Sequence, residues 1–211
     1  MSDKKGLPPL LDRHWAESLL AIDAVVIAAV SLWVAYDSER TNRQLVASAS
    51  WPFLGFYSTE PENAHPPILT LVLTNQGIGP AKLESFELFW NGRAQRSPWM
   101  LLQSCCARGQ PGSSPALTPD PTLDTASDEG IVVRAGESVT FLAYTRTAGN
   151  AATWDALASH YVGSLSVRYC YCSVFDECWL VSARLGVPRN LHPPRVRACP
   201  RPDIHYDNIP G

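Results

Sequence analysis

The chain has 211 residues, of which 45% are hydrophobic and 18% charged, with a formal net charge of −3. These are ordinary values for one soluble domain plus a short anchor. With no Lys/Arg-rich stripe interleaved with aromatics, the electrostatic footprint of a nucleic-acid binder is missing, so no nucleic-acid partner is expected.

Residues 1–17 carry Lys4, Lys5 and Arg13 ahead of the greasiest stretch of the chain, Leu19 to Tyr36. That stretch is apolar apart from Asp23 and Ser31. As a helix it reaches roughly 27 Å, enough for one crossing, and it predicts a transmembrane helix over residues 18–36. A cleaved secretory signal would use the small residues Ala47, Ser48 and Ala49, but the polar run DSERTNRQ separates them too far from the apolar segment. A core helix of a soluble protein keeps a polar stripe, whereas Ala24 to Ala35 is apolar on nearly every side. Residues 37–50 read as a polar, helical spacer.

Basic residues favour a cytoplasmic N-terminus by a single residue, Arg40 and Arg43 following the helix against three before it. Six cysteines outside a recognisable zinc pattern add independent weight for a body in an oxidising compartment. The expected location is therefore a bacterial inner membrane with the C-terminal domain in the periplasm. Asp23 sits near one end of the span, where a headgroup-level carboxylate is tolerated. The sharper reading makes Asp23 and Ser31 contacts to a partner helix, beside the small-residue surface of Ala21, Ala24, Ala28 and Ala35.

From Trp51 the period changes to that of strands. Ile68 to Asn75 alternates cleanly, Phe53 to Tyr57 reads as an earlier strand, Ala81 to Trp90 as the next, and Val139 to Thr145 follows a turn at Ala135-Gly136-Glu137. Gly77, Gly79, Pro80 and Asn91-Gly92 punctuate them. Repeated short strands predict a mainly β domain over 51–185, an antiparallel Ig-like β-sandwich. Residues 103–130, rich in Ser, Pro, Gly and Thr, form an excursion; 150–160 has helical spacing at Trp154, Leu157 and Ala158, with Asn150 or Thr153 as caps. The prolines of 186–211 deny that tail a regular ladder, so it wraps the body or trails free.

Ser164 to Leu185 is the most specific stretch. Leu165, Val167, Tyr169 and Tyr171 alternate with Ser166, Arg168, Cys170 and Cys172, and Trp179, Val181, Ala183 and Leu185 with Cys178, Leu180, Ser182 and Arg184. Putting both apolar faces on one side, with the turn through Val174, Phe175 and Asp176, sets Cys172 opposite Cys178, Tyr171 opposite Trp179 and Tyr169 opposite Val181. Directly opposed residues come close enough for a disulfide, so a Cys172–Cys178 bond is predicted. A ring between the adjacent Cys105 and Cys106 would be strained, so the economical scheme ties them separately to Cys170 and Cys199.

Other chemistry for these cysteines is weaker. Cys170-Tyr171-Cys172 lies in a strand, without the helix start that activates a Cys-x-x-Cys thiol. A soft metal on Cys170, Cys172 and Cys178 finds no histidine at matching spacing, so no metal ligand is assigned. Gly-x-Ser-x-Gly, Gly-x-x-x-x-Gly-Lys and His-Glu-x-x-His are missing, and Asp124, Asp128 and Glu129 fall in the excursion. No catalytic residue or cofactor is expected.

The order of these features resembles a widespread group of uncharacterised bacterial membrane-anchored proteins. The likeness rests on the polar spacer ending in Asn42-Arg43, the strand entry Trp51-Pro52-Phe53, the turn Asn75-Gln76-Gly77-Ile78-Gly79-Pro80-Ala81 and the hairpin Tyr171-Cys172-Ser173-Val174-Phe175, over residues 18 to 185. It implies an architecture and brings no substrate. The resulting expectation is a non-catalytic binding or accessory subunit whose partners are the lipid bilayer and another membrane protein. The excursion and the tail are its contact surfaces, while Trp99, Trp154 and Trp179 are core rather than anchors. The alternatives are an extracytoplasmic thiol-redox or metal-binding protein and a cytoplasm-facing effector or sensor.

Overall fold

A computed structural model of the chain describes residues 11–59, 65–106, 121–126, 130–187 and 192–207. The polypeptide divides at Ser48/Ala49 into two units. The first is dominated by a single helix, α1 (Leu11–Ala49). Its portion from Glu17 to Ala49 is long and apolar enough to cross a membrane, and none of that apolar stretch is buried within the protein. Trp15, Trp33, Asp23 and Ser31 are all exposed on it. The helix runs on past residue 36, so the spacer is helical: Thr41 Oγ1 donates to the Asp37 carbonyl and Arg43 pairs with Glu39 one turn away. At its other end it reaches back to Leu11, inside the segment assigned to 1–17.

The second unit is mainly β, built of antiparallel pairs. Its elements are β1 (Leu54–Thr59), β2 (Ile68–Asn75), β3 (Ala81–Trp90), β4 (Arg93–Gln95), α2 (Pro98–Cys105), β5 (Leu123–Asp124), β6 (Val132–Val133), β7 (Ser138–Thr145), α3 (Ala151–Ser164), β8 (Leu165–Cys172), β9 (Cys178–Arg184) and β10 (Arg195–Val196). One sheet has the order β1-β2-β7-β5; the other has β10-β9-β8-β3-β4, with β6 also on β3. The two share one apolar core: Phe86 of β3 stacks on Phe141 of β7 at 4.0 Å between ring centroids, and Leu69, Leu71 and Leu73 of β2 are all buried, as period-two alternation requires.

The turn between β2 and β3 is organised by one side chain. Asn75 is fully buried; its Oδ1 accepts from the Phe53 and Gly77 amides, and its Nδ2 donates to the Gly79 and Val133 carbonyls. Both glycines permit the close approach this demands, because a Cβ on Gly79 would stand 2.1 Å from the Ser50 carbonyl oxygen and one on Gly77 2.4 Å from the Phe53 nitrogen. Asn91 and Gly92, with φ of 48° and 77°, supply the left-handed pair that joins β3 to β4.

Two expectations need correction. The stretch 103–130 is not wholly an excursion: Ser97 caps α2 by accepting from the Met100 amide, Pro98 occupies the first turn, and the helix continues through Cys105. At its far end Leu123 and Asp124 pair with β7. Asp124 is exposed there, while residues 107–120 and 127–129, including Asp128 and Glu129, lie outside the described residues. The helix expected at 150–160 extends to Ser164 with a break at Val162 and Gly163, the latter at φ 83°. Asn150 precedes it, yet its side chain ties the Thr147 amide, Thr122 and the Thr145 carbonyl together instead of capping the helix. Trp99, Trp154 and Trp179 are buried in the core.

Candidate functional site

The β8–β9 hairpin has the register expected from its alternation, with Cys172 opposite Cys178, Tyr171 opposite Trp179 and Tyr169 opposite Val181. Its turn is held by Ser173, which is buried: the amide donates to the Glu177 carbonyl, the carbonyl accepts from the Asp176 amide, and Oγ accepts from the Phe175 and Glu177 amides. Because residues 173 and 177 form a hydrogen-bonded pair, 172 and 178 form the closer non-hydrogen-bonded one, with Cα atoms 4.0 Å apart and their sulfurs joined.

Tyr169 and Tyr171 face the core, where the Tyr169 hydroxyl donates to the Leu54 carbonyl. The Tyr171 hydroxyl is buried, and that burial, opposed by the Leu54 backbone, pushes this phenol up to about 12, so it stays protonated. The cysteines occupy the opposite, outer face. Cys170, Cys172 and Cys178 are buried there in a separate cluster with Leu180, Val196 and Cys199.

What covers that face is the tail. Among the described residues it forms a strap: the Pro194 carbonyl accepts from the Leu180 amide, Arg195 and Val196 pair with Trp179 and Cys178, and Cys199 bonds to Cys170 with Cα atoms 5.7 Å apart. Farther on, the Asp203 amide donates to Glu87 Oε1, and Asp203 accepts from Arg168. Arg168 also clasps Glu87 with both of its fork nitrogens, at 2.5 and 2.9 Å, which pushes the guanidinium further above its ordinary range and compensates a carboxylate that is almost wholly buried. The strap ends by driving Tyr206 between the sheets, against Phe86 and Phe141. So the prolines do not deny the tail a ladder altogether, since β10 uses two residues free of proline.

The cysteine scheme expected for the remaining sulfurs is replaced. Cys105 joins Cys106, and Cys170 joins Cys199. The reason is a matter of faces: Cys105 and Cys106, at the end of α2, pack against the main core, whereas Cys170 points to the outer side of the sheet, where the strap brings Cys199. By the chain-entropy relation, the bridge spanning 29 residues constrains the unfolded chain by about 3–4 kcal/mol and the one spanning 6 by about 2 kcal/mol. Removing Cys170 and Cys199 together as alanines is thus expected to lower stability more than removing Cys172 and Cys178 together. Urea unfolding of the two paired variants, followed by tryptophan fluorescence, checks the order.

The Cys172 and Cys199 sulfurs, though bonded elsewhere, lie 3.7 Å apart, and those of Cys172, Cys178 and Cys199 all fall within 4.8 Å of one another. Lys82 of β3 pairs directly with Cys172 and so shares its face, with its ammonium 2.5 Å from Asp176 in the hairpin turn; that hydrogen bond pushes the Lys82 ammonium above its ordinary value. Four sulfurs thus gather under the strap.

A second concavity was not read from the sequence. Between β1, the outermost strand of its sheet among the described residues, and β9 runs a groove of about 340 Å³, lined by Phe53, Gly55, Tyr57, Val181, Ala183 and Arg184 among others. Only the sheet order reveals it, because β1 and β9 belong to different sheets and are distant in the chain. Asp23 and Ser31, the expected helix contacts, lie on α1 and have no part in either feature.

A family model, that of a domain of unknown function, DUF8453, matches residues 18–157. The chain belongs to the DUF8453 family. No curated protein matches it. The DUF8453 match takes in the apolar helix, the first sheet and β3, and it ends within α3. The hairpin, the four clustered cysteines and the strap follow the matched region.

Proposed function

We propose that this DUF8453 chain is a single-pass protein of a bacterial inner membrane. It presents an Ig-like β-sandwich in the periplasm and serves as a non-catalytic binding or accessory subunit of a membrane complex. The observation that carries this reading is an apolar helix exposed along its length among the described residues, together with a second unit whose six cysteines are all bonded. An apolar cylinder of that kind gains its burial from lipid or from another helix, and bonded cysteines suit an oxidising side. The groove beside β1 supports binding further, since the β1 edge and an apolar lining together suit an extended partner segment.

The native chain is expected in carbonate-washed membranes, its cysteines unreactive to alkylation until a reductant is added, and its body open to protease added to spheroplasts. A chain cut near Ala49 and found in solution would overturn the anchor. A protected body with alkylatable cysteines would reverse the orientation. Within the helix, Asp23→Leu is expected to reduce co-purification of a membrane partner in mild detergent while leaving the body folded; unchanged co-purification would remove Asp23 and Ser31 as partner contacts.

A further inference from the structure

We infer that Cys170, Cys172, Cys178 and Cys199, once reduced, form a four-thiolate site for a soft divalent cation of the zinc class. A tetrahedral thiolate site with metal–sulfur bonds near 2.3 Å needs sulfurs separated by about 3.8 Å along each edge. The non-bonded separation of Cys172 and Cys199 is already 3.7 Å, and Cys178 is within 4.8 Å of both. Cys170 lies outside that 4.8 Å group; it is buried in the same cluster and bonded to Cys199, so it is the fourth ligand that side-chain rotation brings in once that bond opens. Each bonded pair opens by somewhat under 2 Å to reach the tetrahedral edge, a distance within the reach of side-chain rotation.

Two further features favour a cation. The cluster is nearly dry, with Cys170, Cys172 and Cys178 all buried, so four thiolates released there need a compensating charge that solvent does not supply. A tetrathiolate bound to a divalent ion keeps a net charge of −2, half that of four bare thiolates; Lys82, the residue opposite Cys172, is already paired with Asp176, so the ion itself supplies the compensation. An all-sulfur donor set selects zinc-like ions over magnesium or calcium.

The chemistry balances in two steps. Each disulfide takes two electrons and two protons from a dithiol, which leaves as its own disulfide, and two such exchanges give four thiols. The cation then displaces four protons. On the oxidising side of a membrane, metal capture competes with formation of the two bonds, so the inference goes beyond the proposed function and does not depend on its orientation.

The full chain in detergent, reduced with a dithiol and desalted under nitrogen, is titrated with cobalt(II) and then zinc(II). One cobalt per chain is expected, with the thiolate charge-transfer and visible bands of a tetrahedral sulfur site, bleached by one equivalent of zinc. The oxidised chain should show none of this. Cys199→Ser should lose the tetrahedral spectrum, whereas the double variant C105S/C106S should keep it. Reduced wild-type chain without thiolate–cobalt bands overturns the inference, even if the Cys199 variant does not fold. Bands that survive Cys199→Ser and vanish in C105S/C106S overturn it too.

Discussion

Asn75→Leu is expected to destabilise the β domain by about 3–5 kcal/mol, read as a fall in the urea midpoint of the full chain in detergent. The side chain makes four hydrogen bonds while fully buried, two accepted from Phe53 and Gly77 amides and two donated to Gly79 and Val133 carbonyls. A net hydrogen bond is worth about 1 kcal/mol, but leaving a buried backbone group unpaired costs about 1–3 kcal/mol, and a leucine of similar volume satisfies none of the four. The predicted loss is smaller than the simple sum because the turn relaxes. It is still a large share of the stability a domain of this size commands. Asn75→Asp separates the two halves of the network: it keeps the acceptor for Phe53 and Gly77 but loses both donated bonds and buries a charge. It should therefore be no milder than the leucine. A loss below about 1 kcal/mol for the leucine variant would mean that the turn is held by its backbone alone.

Where the sequence carried a period, the fold was legible in it. Ile68 to Asn75 and Ala81 to Trp90 have the bounds their alternation predicts, and the hairpin register followed from requiring Tyr169, Tyr171, Trp179 and Val181 to share one face. The same reasoning placed Cys170 with Cys172 and Cys178 but could not say what lies over that face, because the strap has no period of its own. Its course is decided by isolated anchors: one cysteine, one carboxylate and one tyrosine, each meeting a strand far away in the chain. Helix α2 was hidden for a different reason. Its eight residues are too few for a convincing apolar repeat, and the signal that marks it, Ser97-Pro98 as cap and first turn, sits just before the Ser- and Pro-rich stretch that dominated the reading. The Asn-x-Gly-x-Gly-Pro turn was recognisable as a pattern, while the role of Asn75 in it needed partners from Phe53 and Val133.

Tyr206→Ala is expected to cost about 3–5 kcal/mol, the range for emptying a large aromatic site in a core. Tyr206 is 1% exposed, meets Phe86 edge-on at 5.2 Å and Phe141 at 5.9 Å, and donates its hydroxyl to the Phe141 carbonyl at 2.9 Å. Tyr206→Phe keeps the ring contacts and gives up one hydrogen bond, so it should cost only about 0.5–1.5 kcal/mol. The difference between the two variants measures the plug itself. Because the part of the strap beyond β10 is fixed by Cys199 at one end and Tyr206 at the other, the two anchors share the contacts between them, above all Arg168 with Asp203 and the Asp203 amide with Glu87. Losing one anchor leaves the other to hold those contacts; losing both frees residues 199–206 and leaves Glu87 with Arg168 alone. The double variant C199A/Y206A should therefore exceed the sum of the single losses by more than about 0.5 kcal/mol, the scatter allowed for independent sites. Hydrogen exchange at residues 199–207 reports the same event directly, with protection reduced in each single variant and abolished in the double. Additive losses with retained exchange protection would mean that the strap adheres without its anchors, and that the cysteine cluster is covered for some other reason.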